Sequence, residues 1–169
     1  MSYSAAMSRR NDLREPWLLV IALLSFGAVG LAVLLQFVFD MQPCAWCVFQ
    51  RLLFLLVGAL ALLGWTVSRA AAARRVLAGL ALLAALGGLW AALHQQFVAA
   101  QSQSCAFTFA DRVMMKSGLD ESLPWLFQAT ASCADANAPL LGLPFAYWSA
   151  ALFVLLALMA ARVLFARRS

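Results

Sequence analysis

The stretch Phe39–Trp65, FDMQPCAWCVFQRLLFLLVGALALLGW, sets a Cys-Ala-Trp-Cys pair and one arginine directly against a long apolar run. From Val48 to Val67 that run is long enough to cross a hydrocarbon core of about 30 Å at about 1.5 Å per helical residue. Three more runs of the same kind flank it, Trp17–Phe39 before it and Val76–Leu93 and Phe145–Ala161 after it. These three contain no Asp, Glu, Lys, Arg or His, and Val48–Val67 contains Arg51 alone. The last run has 17 residues, at the short end for a span, and is expected to continue to Phe165 with Arg162 snorkelling to the surface. Hydrophobic residues make up 65% of the 169 and charged residues 11%, against about 45–50% and about 25% in soluble domains. The expected fold is therefore all-α, an integral membrane four-helix bundle, with residues 1–169 forming a single membrane domain.

Basic residues set the expected orientation. Arg9, Arg10 and Arg14 precede the first run, Arg69, Arg74 and Arg75 join the second to the third, and Arg162, Arg167 and Arg168 close the chain. Nine of the twelve Lys and Arg residues thus fall on one side, leaving Arg51, Arg112 and Lys116 for the other. By the positive-inside rule both termini are cytoplasmic. The first run is too long for a signal-peptide core and no small-residue cleavage site follows it, so it reads as an uncleaved signal anchor. The net charge of +5 is absorbed by these topology-setting positions and needs no nucleic acid.

On that topology all four cysteines face outward: Cys44 and Cys47 in or beside a first loop of about 40–47, Cys105 and Cys133 in a long second loop, Gln95–Leu143. The two segments hold about a third of the chain, so random placement would put every cysteine there on the order of once in a hundred times. Thiols confined to one outer face point to disulfide chemistry in an oxidising compartment. Two structural disulfides that tie down the loops are the plain alternative. A Cys-x-x-Cys bridge closes almost no loop, however, and so gains little stability by closure; it reads better as a redox pair. Pro43 precedes it and the helical run follows, which places both thiols at a helix N-terminus, where the partial positive charge favours thiolate. A zinc site commonly uses two close-spaced pairs, whereas 27 residues separate Cys105 from Cys133.

Arg51 lies four residues after Cys47, one helical turn along on roughly the same face. A fixed cation there stabilises a thiolate and can donate hydrogen bonds to a carbonyl oxygen of a ligand; the plain reading is an arginine snorkelling to headgroups. His94, the only histidine, ends the third run and is followed by Gln95 and Gln96. It is either an interfacial polar residue or, if it acts, a donor to a quinone oxygen or a proton shuttle. One histidine excludes a bis-histidine haem, and spans without acidic residues do not suit a proton-coupled pump. Electron transfer then requires an organic acceptor.

The segment CAFTFADRVMMKSGLDESLPWLFQATASC, Cys105–Cys133, is too polar to span and too apolar to float free. A short helix over Ala110–Ser117 is expected, with Asp111 near its start, Lys116 near its end, Gly118 terminating it and Pro124 starting a new segment. It either lies in the interface plane or belongs to a merely amphiphilic loop. Ala84, Gly88 and Ala92 recur every four residues as a small-residue packing stripe, and Trp17, Trp65, Trp90 and Trp148 near run ends read as interfacial anchors.

Taken together, four helices with termini inside, PCAWCVFQR opening the second, and a second cysteine pair in a long external loop before LGLPFAYW resemble the DsbB family of bacterial inner membranes over nearly the whole chain. The resemblance implies a quinone-dependent, disulfide-generating oxidoreductase that regenerates DsbA, the periplasmic thioredoxin-fold oxidase. That DsbA–DsbB–quinone relay is itself the standard example of a periplasm kept oxidising kinetically. By the same resemblance, Cys105 is the sulfur attacked by reduced DsbA and Cys133 its partner. Cys44 then exchanges with Cys133, Cys47 is the thiolate facing the quinone, Arg51 holds the ring and His94 is a second contact. Ubiquinone is the first expectation for the cofactor and menaquinone the second; no metal is implied.

DsbA stands near −120 mV and a thioredoxin-like pair near −270 mV, so an ordinary Cys-x-x-Cys would oxidise DsbA uphill by about 150 mV, roughly 7 kcal/mol. The first pair must be unusually oxidising, drained by the quinone, or both. The nearest enzymatic rival is a vitamin K epoxide reductase-like protein, in which the pair lies later in the bundle. The rival of another class is a non-catalytic tetraspan membrane protein stapled by two disulfides, which should resist mild reduction.

Overall fold

A computed structural model of the chain describes residues 15–66, 71–101, 108–137 and 139–165. Cys105 lies outside the described residues, as do Arg9, Arg10, Arg14, Arg69, Arg167 and Arg168. The four apolar runs form α1 (Glu15–Phe39), α2 (Ala45–Thr66), α3 (Ala71–Phe97) and α7 (Phe145–Phe165). All four are long and apolar enough to cross a membrane. Between α3 and α7 the chain folds into a short 3-10 turn, Ala99–Gln101, then α4 (Phe109–Ser117), α5 (Leu119–Ser122) and α6 (Pro124–Phe127). A second 3-10 turn, Asp135–Asn137, leads to the two-stranded hairpin β1 (Pro139–Leu140) and β2 (Leu143–Pro144).

Local chemistry accounts for the boundaries. α1 stops at Asp40, whose left-handed backbone (φ 51°) suits a short polar side chain. Pro43 precedes α2, and the first helical hydrogen bond runs from Val48 N–H to Cys44 C=O at 3.0 Å. α2 therefore begins at Ala45 rather than Val48, and Cys47 sits inside its first turn. α4 starts on a capping box in which Thr108 and Asp111 satisfy each other's backbone N–H groups, and it ends at Gly118 in the left-handed conformation (φ 65°). Both ends lie within one residue of expectation, and Pro124 opens α6.

α3 is the hub. Its small residues, among them Ala78, Ala81, Ala85, Ala91 and Ala92, are buried and let α2 and α7 approach closely. The expected stripe is part of this face, and at Gly88 the closeness is extreme: a Cβ would lie 2.2 Å from Phe153 Cε1. Phe153 stacks on Phe54 with ring centroids 3.9 Å apart, joining α7 to α2 through the core. Around the bundle the order is α1, α2, α3, α7, and α1 and α7 touch each other least of the four neighbouring pairs. Residues of both helices along that seam line a cavity.

α3 also runs past the end of its apolar stretch, to Phe97, so His94 and Gln95 belong to the helix and not to the following loop. The helix can carry Gln95 inward because the amide finds partners there. An unpaired amide at that depth would cost several kcal/mol in a lipid-surrounded bundle.

Candidate functional site

α1, α2 and α3 each turn one glutamine inward at the same end of the bundle, Gln36, Gln50 and Gln95, and Arg51 is buried among them. Each of the four side chains has at least one hydrogen-bond partner. Arg51 Nη1 donates to Gln36 Oε1 at 2.8 Å and to the Leu126 carbonyl at 3.0 Å, and Nη2 donates to the Ala32 carbonyl at 3.4 Å. One guanidinium thus ties α2 to α1 and to the α3–α7 connection at α6. Gln50 Nε2 donates to Gln95 Oε1 at 2.6 Å, and Gln95 Nε2 donates to Cys47 Sγ at 3.2 Å.

The two sulfurs of the Cys-x-x-Cys pair lie 3.2 Å apart. A disulfide needs about 2.0 Å, so bond formation asks only for a small approach. The sulfurs have different neighbours. Cys44 is buried and meets Cys133 as well as Cys47, whereas Cys47 lines a cavity of about 180 Å³. The cavity lies between α1, α2 and α7 at the end of the bundle that carries Cys44 and Cys47. Its wall is apolar at Leu31, Leu35, Phe54 and Leu152 and polar at Gln42, Gln50, Arg51 and Ser149. Leu140 of the hairpin and Trp148 also face it, and Trp148 Nε1 donates to the Leu140 carbonyl at 3.2 Å, which fastens the hairpin to α7.

Cys133 reaches Cys44 because the α3–α7 connection is stitched to the loop before α2. The Pro43 carbonyl accepts from Thr130 N–H at 2.9 Å and from Ala131 N–H at 3.2 Å, and Thr130 Oγ1 donates to Gln42 Oε1 at 2.7 Å. Beyond Cys133 the turn is held by Ser132, whose hydroxyl donates to Asp135 Oδ2 at 2.6 Å and accepts from Asp135 N–H at 3.2 Å. The result is a small packed cluster of Cys44, Ala45, Trp46 and Ala136 with Cys133 against it.

This packing splits the thiols electrostatically. Hydrogen bonding with Cys133, hydrogen bonding with Cys47 and burial together hold the Cys44 thiol well above the ordinary thiol range. The contact with Cys44 pulls Cys133 below its ordinary value. The expectation that a helix N-terminus lowers both members of the pair is therefore corrected for Cys44: two sulfur neighbours and a dry setting outweigh the helix dipole.

Of the residues singled out in the sequence, the fold brings together Cys44, Cys47, Cys133 and Arg51. His94 stands elsewhere: its ring packs on Trp46 (centroids 4.5 Å apart) and Trp90 (5.2 Å), and it is not among the cavity's lining residues. Gln95, one position on, is the α3 residue that meets Cys47. Gln36, Gln50 and Gln95 were legible only as lone amides near the outer ends of apolar runs.

Four apolar helices, a thiol pair opening the second and a third thiol laid against the first of that pair define a polytopic membrane protein arranged for thiol–disulfide exchange. The family model for Disulfide bond formation protein DsbB matches residues 14–163. Curated relatives named Disulfide bond formation protein B include that of Ralstonia nicotianae, 33% identical over 141 residues that cover 83% of this chain and 87% of the relative. That of Herminiimonas arsenicoxydans is 32% identical over 156 residues, covering 92% and 98%. That of Nitrosospira multiformis is 31% identical over 145 residues, covering 85% and 86%. The chain belongs to the DsbB family, and it is a multi-pass inner-membrane oxidoreductase of disulfide bond formation.

Proposed function

We propose that this protein reoxidises a DsbA-like periplasmic thioredoxin-fold oxidase and delivers the electrons to a membrane quinone. The observation that carries the reading is the division of labour across one helical turn: Cys44 faces Cys133, and Cys47 faces the cavity that Arg51 also lines. With the arginine-rich ends cytoplasmic, as the charge distribution expects, this end of the bundle is periplasmic.

The cavity suits a quinone head group. Its apolar walls accept a flat ring, and Arg51, Gln50, Gln42 and Ser149 offer donors to ring oxygens. Among the guanidinium's bonds, the one to Ala32 is the longest at 3.4 Å and is the donor most easily redirected to a ligand carbonyl. The sparse α1–α7 contact leaves an approach from the lipid. When bound, the quinone supplies a two-electron, two-proton acceptor.

Cys105 and Cys133 start as a disulfide, as do Cys44 and Cys47. A thiolate of the reduced partner attacks Cys105, forming the mixed disulfide and releasing Cys133 as thiolate. Cys133, packed against the cluster that holds Cys44, then attacks Cys44; the Cys44–Cys133 bond forms and Cys47 leaves. Attack in that sense follows from position, because the sulfur that Cys133 meets is that of Cys44. Cys47 is left with its electron pair against the cavity. Arg51 and Cys47 make the ring contacts in this scheme, and His94 supports the Cys44–Cys47 turn from behind through Trp46.

The test is quinone absorbance after mixing the purified protein with reduced DsbA, comparing wild type with Cys47→Ala, first with ubiquinone and then with menaquinone. Loss of oxidised quinone in wild type alone, matched to thiols consumed, is expected. Thiol-independent loss, or none with either quinone, would return the structure to a stapled tetraspan.

A further inference from the structure

The Cys47 sulfur is the electron-delivering atom in the scheme above, and Arg51 acts on it through its charge without a hydrogen bond to it among the described residues. Among the described residues the hydrogen bonds of the guanidinium run to Gln36, Leu126 and Ala32. The side-chain N–H that points at Cys47 Sγ belongs to Gln95, at 3.2 Å. Gln95 is 1% exposed and Gln50 3% exposed, so neither amide can exchange its partner for bulk water.

An amide has two ends, and only one helps a negative sulfur. Gln50 Nε2 donates to Gln95 Oε1 at 2.6 Å. That bond occupies the Gln95 oxygen and leaves its NH₂ group for the sulfur; turning the amide over would set two NH₂ groups and an oxygen–sulfur pair against each other. The chain Gln50 to Gln95 to Cys47 therefore runs in one direction, each link donating to the next. We propose that Gln95 is a positioning residue that stabilises Cys47 as the released, electron-rich thiolate, and that Gln50 acts through it by fixing the orientation of its amide.

The chemistry follows from where charge appears. In the disulfide, Cys47 is a neutral and weak acceptor; once Cys44 is attacked it becomes an anion, and a hydrogen bond to an ionised acceptor is roughly twice as strong as one to a neutral acceptor. The Gln95 N–H thus favours the reduced pair over the oxidised one. Stabilising the reduced form is what makes a dithiol pair a strong oxidant, which is what a pair that must accept electrons originating in DsbA requires.

This inference rests on the reading of Cys47 as the cavity-facing thiolate, but it can be measured without quinone or partner. The full chain carrying Cys105→Ser and Cys133→Ser is equilibrated in detergent with glutathione redox buffers. Two glutathione thiols become glutathione disulfide as the Cys44–Cys47 bond becomes one thiol, one thiolate and a released proton. Gln95→Met keeps side-chain length and removes the N–H; the equilibrium should move about tenfold toward the protein disulfide, about 30 mV. Gln50→Met should move it the same way by less, and the double variant no further than Gln95→Met alone, because Gln50 works only through Gln95. An equilibrium within about twofold of the parent in Gln95→Met, or strictly additive effects in the double variant, would overturn the proposal. If Gln95→Met does not accumulate as folded protein, Gln50→Met decides by the same readout. Quinone assays that fail while these shifts appear would count against the acceptor and leave the amide chain standing.

Discussion

Replacing Gly88 by alanine tests whether the core packing governs the cavity. A Cβ at Gly88 would lie 2.2 Å from Phe153 Cε1 and 2.3 Å from Cζ. Carbon atoms prefer about 3.5–4.0 Å, so the Phe153 ring must retreat by more than about 1 Å. It cannot retreat freely, because Phe54 is stacked on it with centroids 3.9 Å apart and planes 8° from parallel. Either α3 and α7 separate or Phe153 presses on Phe54, and Phe54 lines the cavity. Overpacking of this kind costs about 1–3 kcal/mol. The expected outcomes are a thermal unfolding midpoint in detergent lower by several degrees and a higher apparent KM for quinone with the thiol substrate's KM unchanged. In a Phe153→Leu background the added methyl meets a smaller side chain, so the penalty for Gly88→Ala should shrink. An unchanged midpoint, or a penalty equal in both backgrounds, would refute the packing argument.

Two further outcomes follow from the site. Arg51→Lys keeps the charge and loses the planar fork, so one ammonium cannot serve Gln36, Leu126, Ala32 and a ring oxygen together; the quinone KM in steady-state turnover should rise about tenfold, about 1.4 kcal/mol, and an unchanged value would take Arg51 out of the site. In fully reduced protein, a small neutral alkylating agent should modify Cys133 before Cys44, since their mutual contact lowers one thiol and raises the other. The gap should close as pH rises through the higher Cys44 value. Cys44→Ala removes the partner that lowers Cys133, so the reactivity of Cys133 should shift to higher pH; mass spectrometry of the labelled peptides reads both.

Much of this arrangement was legible in advance where it depends on short-range chemistry. The spans follow from apolar length, α4 from Asp111, Lys116 and Gly118 at helix-compatible spacing, and the exposure of the Cys-x-x-Cys to a helix start from Pro43. The Thr108–Asp111 capping box is a signal of the same short-range kind. What did not follow was rotation. Successive residues on a helix point about 100° apart, so extending α3 to Phe97 leaves open which of His94 and Gln95 faces α2. Packing resolves it: the histidine ring lies against Trp46 and Trp90, and the amide turns to Gln50 and Cys47.

By itself, then, the sequence determined the membrane-spanning class and the cysteine pair at the mouth of the second helix, because each depends on hydropathy or on neighbours within a turn. Only the tertiary structure decided that Cys44 is the buried sulfur against Cys133 and Cys47 the one at the cavity, that the cavity lies beside the sparse α1–α7 seam, and that a glutamine meets Cys47. Those outcomes join residues far apart in sequence, Pro43 with Thr130, Arg51 with Leu126 and Cys47 with Gln95. They are set by which side chains can bury their polar ends together in a bundle that lipid leaves without water.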